Sequence, residues 1–461
     1  MPDSTYDAVV LGAGPAGEVC AGRLADGGLT VAIVEEHLLG GECSFYACMP
    51  SKALLRPAQA LAEAHRIPGA AQAATGTLDV PAALQRRDDI VHDLDDASQE
   101  PWLTDKGIAI HRGLGTIVGE RQIRVGDDVL TATKAIVVAT GSDANIPSSI
   151  EGLAEAEPWT NREATNAEHA PGRLVVLGGG PVAVELAQAW QTLGSDVTLV
   201  ARGDRLLPKL EEFAGKEVEA ALRGNGVDVR LGRQAVRVAR PVGAARDGSE
   251  VVVELDDDAV IRADEVLVAL GRTARTADIG LDAVGLPTDR PLAVNDHLQV
   301  DSHPWLYAIG DANGRAQLTH QGKEHARCAS AHILGEADCS VLIDGPRTPA
   351  VVFTEPQVAS VGHTAEMAEK EGLNFRTVDG DLNWTAGGSF FGRGVPAKAR
   401  IVIDTDRDVI VGATFTGADV AEHLHAATIA VAGEVPLRVL RHSVPAFPTR
   451  SEIWLQLLEL L

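Results

Sequence analysis

Positive charge is scarce in this sequence: 40 Lys and Arg face 65 Asp and Glu in 461 residues, a formal net charge of -25. Nucleic acid and anionic membrane surfaces are recognised by clustered cations, so neither is an expected partner. No apolar run approaches the roughly eighteen residues of a membrane span, and the early run AVVLGAG lacks the basic flank and cleavage site of a secretory signal. The expected location is the cytoplasm. Cysteine is also sparse. Cys20, Cys43, Cys48, Cys328 and Cys339 are too few and too scattered to staple a chain of this length, and cytosolic thiols are normally kept reduced. Any bridge among them is expected to be chemical rather than structural. No histidine cluster has metal-ligand spacing, so no metal is expected, and His320, His325, His423 and His425 are read as ordinary polar groups. No solenoid repeat or low-complexity tract interrupts the chain. The mixed run RRDDIVHDLDDASQE reads as a solvated helix face.

Two segments read alike. YDAVVLGAGPAGEVCAGRLADGGLTVAIVEE from Tyr6 and GRLVVLGGGPVAVELAQAWQTLGSDVTLVAR from Gly172 each run from an apolar stretch through a glycine turn into a helical stretch and a second apolar stretch, the outline of a βαβ unit. Short strands ending in small residues follow, AIVVATGS, EVLVALGR and LYAIGDA, an order that suggests a first domain interrupted by a second and then resumed. From about residue 346 the pattern becomes strand, polar turn and strand in ARIVIDTDRDVIVGATFTG, followed by helical AEHLHAATIAVAG, which reads as a separate antiparallel α+β domain.

Gly12, Gly14 and Gly17 allow a tight turn and close backbone approach to a pyrophosphate, and Glu35, ending the second strand, can accept hydrogen bonds from a ribose diol. In the second unit the position matching Glu35 is Ala201, followed by Arg202 and, a little further on, Arg205. An acid there would repel a 2′-phosphate, whereas Arg can pair with one, so NADPH is expected to be preferred over NADH.

In GGECSFYACMPSK, Cys43 and Cys48 stand five positions apart. In an ideal helix that separation is roughly 8 to 9 Å between Cα atoms, beyond the roughly 7 Å a disulfide spans, so the two can meet only across a distorted turn. A bridge in imperfect geometry is easily reduced, and a thiolate at a helix start is stabilised by backbone dipoles. That combination suits an electron shuttle.

This run closely resembles the redox motif of the class I pyridine nucleotide-disulfide oxidoreductases, the family of dihydrolipoamide dehydrogenase, glutathione reductase and mercuric reductase. The resemblance covers nearly the whole chain: GAGPAG with Glu35, ATGS and YAIGDANGRAQLTH look like the FAD site, GGGPVAVE like the coenzyme site, and VVFTEPQVASVG like the start of the interface domain. It implies an α/β fold with two Rossmann-like dinucleotide-binding domains, the second inserted in the first: FAD over 1–145 and 272–345, NAD(P)H over 146–271, and an α+β interface domain over 346–461. It further implies a homodimer in which reduced coenzyme passes hydride to FAD and FAD reduces the Cys43–Cys48 disulfide, with Cys48 against the flavin and Cys43 as the exposed interchange thiol. FAD contacts would come from Gly12, Gly14, Gly17, Glu35, Gly41, Lys52, Thr140, Gly141 and Asp311. Coenzyme contacts would come from Gly178, Gly180, Ala183, Arg202, Arg205 and Gly271. Lys52 and Glu185 would form an ion pair near the flavin.

The sequence departs from the family in a few places. Disulfide-reducing members carry a His-Glu dyad near the C-terminus, but in HSVPAFPTRSE Phe447 stands at the His position while Glu452 remains. A positioned acid-base group contributes about 10²- to 10⁴-fold, and Phe447 cannot supply it; the sequence does not place His442 as a substitute. Glu42 replaces a family Thr beside Cys43, where its charge would raise that thiol's pKa. Pro181 replaces the Tyr that covers the flavin in glutathione-reductase-like members. The expected activity is reduction of a small disulfide, with a quinone or metal ion taking electrons from flavin as an alternative. Dihydrolipoamide dehydrogenase proper is disfavoured by Phe447 and Ala201, and mercury handling by a C-terminal LQLLELL without cysteines.

Overall fold

The computed structural model describes residues 4–240, 249–336, 339–392 and 394–461. The chain forms two compact units, one of residues 1–50, 88–144 and 272–346 and the other of 51–87, 145–271 and 347–461.

The first unit is built on a sheet ordered Gln299–Val300, His303–Ala308, Asp128–Val138, Ser4–Leu11, Val31–Glu35 and Ala109–Arg112. All neighbours are parallel except the first pair. Its strands are near-continuous apolar runs, with Ala8, Val9, Val10, Ile136 and Val137 fully buried, the pattern of a parallel sheet covered on both faces. The resumption of an interrupted domain is explicit in the register, because Leu306–Ala308 pairs with Ile136–Val138. The helices Pro15–Asp26 and Thr319–Leu334 lie on this sheet. Small residues bring them close: a Cβ on Gly322 would stand 3.2 Å from that of Ala16.

The second unit holds a parallel sheet ordered Asp228–Leu231, Asp196–Ala201, Arg173–Leu177 and Glu265–Val268, with a three-stranded antiparallel sheet, Ala235–Ala239, Val251–Leu255 and Val260–Ala263. A five-stranded antiparallel sheet, Ala350–Val352, Gln357–Gly362, Val409–Gly417, Lys398–Asp404 and Phe375–Asp381, contains the expected hairpin and is followed by the helix Leu424–Ala432. One face of this sheet keeps a small cluster of its own, Ala368, Val402, Val409 and Val411, while its other strands join a larger core. Val352 and Val358 pack in one cluster with Trp190 and Leu199 of the parallel sheet layer, and Leu54, Leu55, Ala83 and Leu84 join the same cluster. Apolar positions of the helices Cys48–Arg66 and Val80–Ile90 therefore place 51–87 in this unit, a pairing that no local pattern specifies.

The run from Arg86 is only in part a solvated face. Arg87 is 1% exposed, and its guanidinium donates to the carbonyls of Thr165 (2.5 Å) and Ala167 (3.0 Å). Burial is tolerated because these bonds satisfy the fork.

Candidate active site

The redox segment is a helix broken between the two cysteines. The short helix Gly41–Phe45 ends at Tyr46, and the 19-residue helix Cys48–Arg66 begins at the second cysteine. The break supplies the distorted turn that spacing demanded. Cys43 donates its thiol proton to Cys48, and that hydrogen bond, followed by burial and the charge on Cys48, holds the Cys43 pKa above the usual thiol range. Cys48 stands at the positive end of a helix dipole.

Sequence reasoning missed two groups beside this pair. Thr319 Oγ1 lies 3.4 Å from Cys48 Sγ and also hydrogen-bonds Cys43, and Lys323, a turn further along the helix Thr319–Leu334, stabilises negative charge there. Lys323 likewise opposes the rise of Glu18, which burial pushes up to about 7. Thr319 falls within the quoted stretch LTH, but only the return of a distant helix to the sheet reveals what it touches.

The Glu42 carboxylate, beside Cys43 in the chain, faces Arg272 at 3.5 Å, and the rise of the Cys43 pKa comes first from its bond to Cys48 and then from burial. Arg272 also donates to Ser142 Oγ (2.7 Å), which donates to Asp311 Oδ2 (2.5 Å). Burial, opposed by this Ser142 bond, raises the Asp311 pKa.

The nucleotide loop sits against the redox segment. Gly12 has φ 106°, and a Cβ there would collide with the carbonyl of Ala139. Gly41 has φ 59°, and its Cβ would fall 2.8 Å from Gly14 Cα. Neither position tolerates a side chain. Gly14 caps the helix Pro15–Asp26, open space lies where its Cβ would be, and Gly17 packs on Gly12. Glu35 accepts from the Ala13 and His37 amides (2.7 and 2.8 Å). Thr140 donates to the Arg275 carbonyl (2.6 Å), and Gly141 turns the chain at φ 75°.

In the second unit Lys52 and Glu185 meet as expected, Nζ to Oε2 at 2.6 Å with the carboxylate side chain 5% exposed. Glu185 Oε1 accepts the Phe353 amide (2.8 Å), and the Lys52 ammonium lies 4.8 Å from the centre of the Phe353 ring. Gln188, on the same helix Pro181–Thr192, exchanges two hydrogen bonds with the backbone of Glu355. The coenzyme turn repeats the first: Gly178 has φ 134°, Gly180 caps the helix, Ala183 is fully buried, and Gly271 accepts from the Asn145 amide. Ala201 is buried at its strand end and Arg202 is exposed. Arg205 is engaged with Glu366 (2.7 Å) and the Pro208 carbonyl (2.9 Å).

Residues 6–331 match the family model of pyridine nucleotide-disulphide oxidoreductases, and 348–458 match the dimerisation domain of the same family. This chain belongs to the class I pyridine nucleotide-disulfide oxidoreductases. Dihydrolipoyl dehydrogenase of Thermus scotoductus is 31% identical over 97% of this chain and 95% of its own. Mercuric reductase of Staphylococcus aureus is 27% identical over 98% of this chain and 81% of its own. The Cu(II) complex of the HOCl-induced flavoprotein disulfide reductase RclA of Escherichia coli superposes with a TM-score of 0.84, at 25% identity and full coverage of both chains.

As a member of this family the protein is a flavoprotein oxidoreductase using FAD and NAD(P)H. The residues present fit both: two glycine turns, crowded against backbone at Gly12 and Gly178 and open at Gly14 and Gly180, each lead into a helix N-terminus, which is how a pyrophosphate is held. No helix among the described residues is long and apolar enough to cross a membrane, and none of their side chains cluster as a metal site.

Phe447 is 77% exposed, and Glu452 Oε2 is buried with no hydrogen-bond partner among the described residues. His442 is exposed after the short helix Leu437–Leu440 and makes no hydrogen bond to Glu452. Pro181 is exposed. His325 is fully buried between Asn313 and Asp344, each at 3.2 Å.

Burial, helped by Arg450, holds His423 down to about 4. The unfolded chain takes up this proton near 6.5 and the folded chain only near 4, so stability is expected to fall as the pH drops through that window. The loss is on the order of 3 kcal/mol. Thermal melts between pH 7 and 4 check it: His423→Gln should flatten the slope.

Proposed function

We propose that this enzyme is an NADPH-preferring reductase of small disulfides in which Cys43 and Cys48 are the shuttle. The observation that carries the proposal is the Cys43-to-Cys48 hydrogen bond across a broken helix, with Cys48 at the head of 19 helical residues. Bound flavin supplies two electrons from the coenzyme to return the pair to the dithiol. The chain's own residues do the rest. Cys43 Sγ attacks one sulfur of the acceptor disulfide, releasing a thiolate, and Cys48 Sγ then attacks Cys43 Sγ, releasing the second thiol and closing the Cys43–Cys48 bond. Before attack Cys43 must lose the proton it shares with Cys48, and the Thr319 hydroxyl, bonded to both sulfurs, is placed to relay it. Phe447 delivers no proton to the leaving thiolate, so acceptors with good leaving thiols are favoured.

The three-domain division stated from sequence, a homodimer formed through the matched dimerisation domain, and a cytoplasmic setting complete this reading. So do the individual nucleotide contacts. A second acceptor class, a quinone reduced from flavin with the cysteines idle, is favoured by one feature: Phe447 in place of the acid-base group.

Coenzyme choice tests the Arg202 assignment. With saturating acceptor, kcat/KM for NADPH should exceed that for NADH by roughly tenfold, about 1.4 kcal/mol, and Arg202→Glu should reverse the order. A wild-type preference for NADH would overturn the assignment.

A further inference from the structure

Two cysteines outside the redox motif have come together. Cys328, on the helix Thr319–Leu334, is fully buried, and its Sγ stands 2.7 Å from that of Cys339. The sequence offered no reason to pair them, since they flank the end of a helix and neither lies in a family motif. The surroundings differ at the two sulfurs. Cys339 is only partly buried, and Arg327 lies within electrostatic reach of both sulfurs, its Nη2 4.0 Å from Cys328 Sγ. Cys328 has Glu324 Oε1 at 3.8 Å, and burial, then its bond with Cys339, raises its pKa. Glu324 and Arg327 are themselves an ion pair at 2.5 Å. A partly exposed thiol in contact with a buried one, with a carboxylate beside them to take a proton, makes an oxidisable pair.

We propose that Cys328 and Cys339 form a second redox pair, which a peroxide converts to a disulfide that clasps the C-terminal end of the helix Thr319–Leu334. The Cys339 thiolate attacks one peroxide oxygen. The O–O bond breaks and the departing oxygen leaves as water on taking a proton, so Cys339 becomes a sulfenic acid. Cys328 Sγ then attacks Cys339 Sγ while its own proton passes to Glu324. The S–O bond breaks, and the hydroxide leaves as water on taking up that proton from solvent exchange. Two thiols and one peroxide thus yield one disulfide and two waters. This pair is distinct from Cys43 and Cys48 and uses no flavin, so it stands whether or not the shuttle does.

The test maps thiols in the holoenzyme. The reduced protein is treated with one equivalent of hydrogen peroxide, alkylated in denaturant and cleaved after glutamate without reduction; Glu336 lies between the two cysteines. The expected result is a pair of fragments, one from each side of Glu336, joined by a disulfide, where the untreated protein gives both cysteines alkylated. Oxidation should also raise the melting midpoint by a few °C, because the bond restricts the unfolded chain, and this rise should vanish in Cys339→Ser. That variant changes the more exposed residue and keeps the test open if Cys328→Ser does not fold. Full alkylation of both cysteines after peroxide, or a sulfinic acid on Cys339 with no joined fragment, would overturn the proposal.

Discussion

Cys43→Ser should reduce turnover of an activated aromatic disulfide by on the order of 10³-fold or more, the scale lost when the nucleophile of a concerted unit is removed. A serine hydroxyl has neither the acidity nor the sulfur chemistry to form a mixed disulfide. Cys48→Ser should behave differently, because Cys43 can still attack: one equivalent of thiol should be released from a disulfide acceptor and then nothing, with the substrate's other half trapped on Cys43. Steady-state NADPH oxidation with lipoamide, the aromatic disulfide and a quinone separates the two acceptor readings. Retention of disulfide turnover by Cys43→Ser sinks the shuttle. Turnover of the quinone alone, unimpaired by the substitution, makes the flavin the direct reductant.

Glu185→Ala should cost the protein about 3 kcal/mol of stability. The carboxylate is nearly inaccessible and has two obligations, the Lys52 ammonium on one oxygen and the Phe353 amide on the other. Removing it leaves the Phe353 amide without an acceptor and the Lys52 ammonium with only a long bond to Ser51 Oγ, 3.3 Å. The side chain of Lys52 is 34% exposed, so water partly rescues the cation and the loss falls at the low end for a broken buried pair. Glu185→Gln should recover part of the loss by keeping an acceptor for the amide, and Lys52→Met with Glu185→Leu should be milder than Glu185→Ala. Denaturant titrations measure the series. A double variant as unstable as Glu185→Ala would mean that shape, not charge, holds this contact.

Much of the architecture was legible because its determinants are local. A glycine turn between an apolar run and a helix is written in consecutive letters, and so is the hairpin of ARIVIDTDRDVIVGATFTG. The two cysteines were legible as a pair because helix geometry forbids them from meeting without a break, and the break is present. Other features depend on residues far apart in sequence. Arg87 reads as one more surface charge until the carbonyls of Thr165 and Ala167 are brought to it. Glu42 reads as a neighbour of Cys43 alone until Arg272, distant in the chain, is brought to it. Thr319, Lys323 and the Cys328–Cys339 contact were hidden for the same reason, since they exist only once the helix Thr319–Leu334 has been laid on the sheet. The assignment of 51–87 to the second unit required its apolar positions to find a core.

The contact between Gly41 and Gly14 makes the GGEC sequence a poor candidate for transplantation. Any side chain introduced at Gly41 would press on the Gly14 backbone, whereas Gly14 itself has open space where a Cβ would stand. Loading the cofactor and aligning the thiols are then one assembly event with one tolerance. Variation at Gly41 in the redox loop should therefore be conditional on where the nucleotide loop places Gly14.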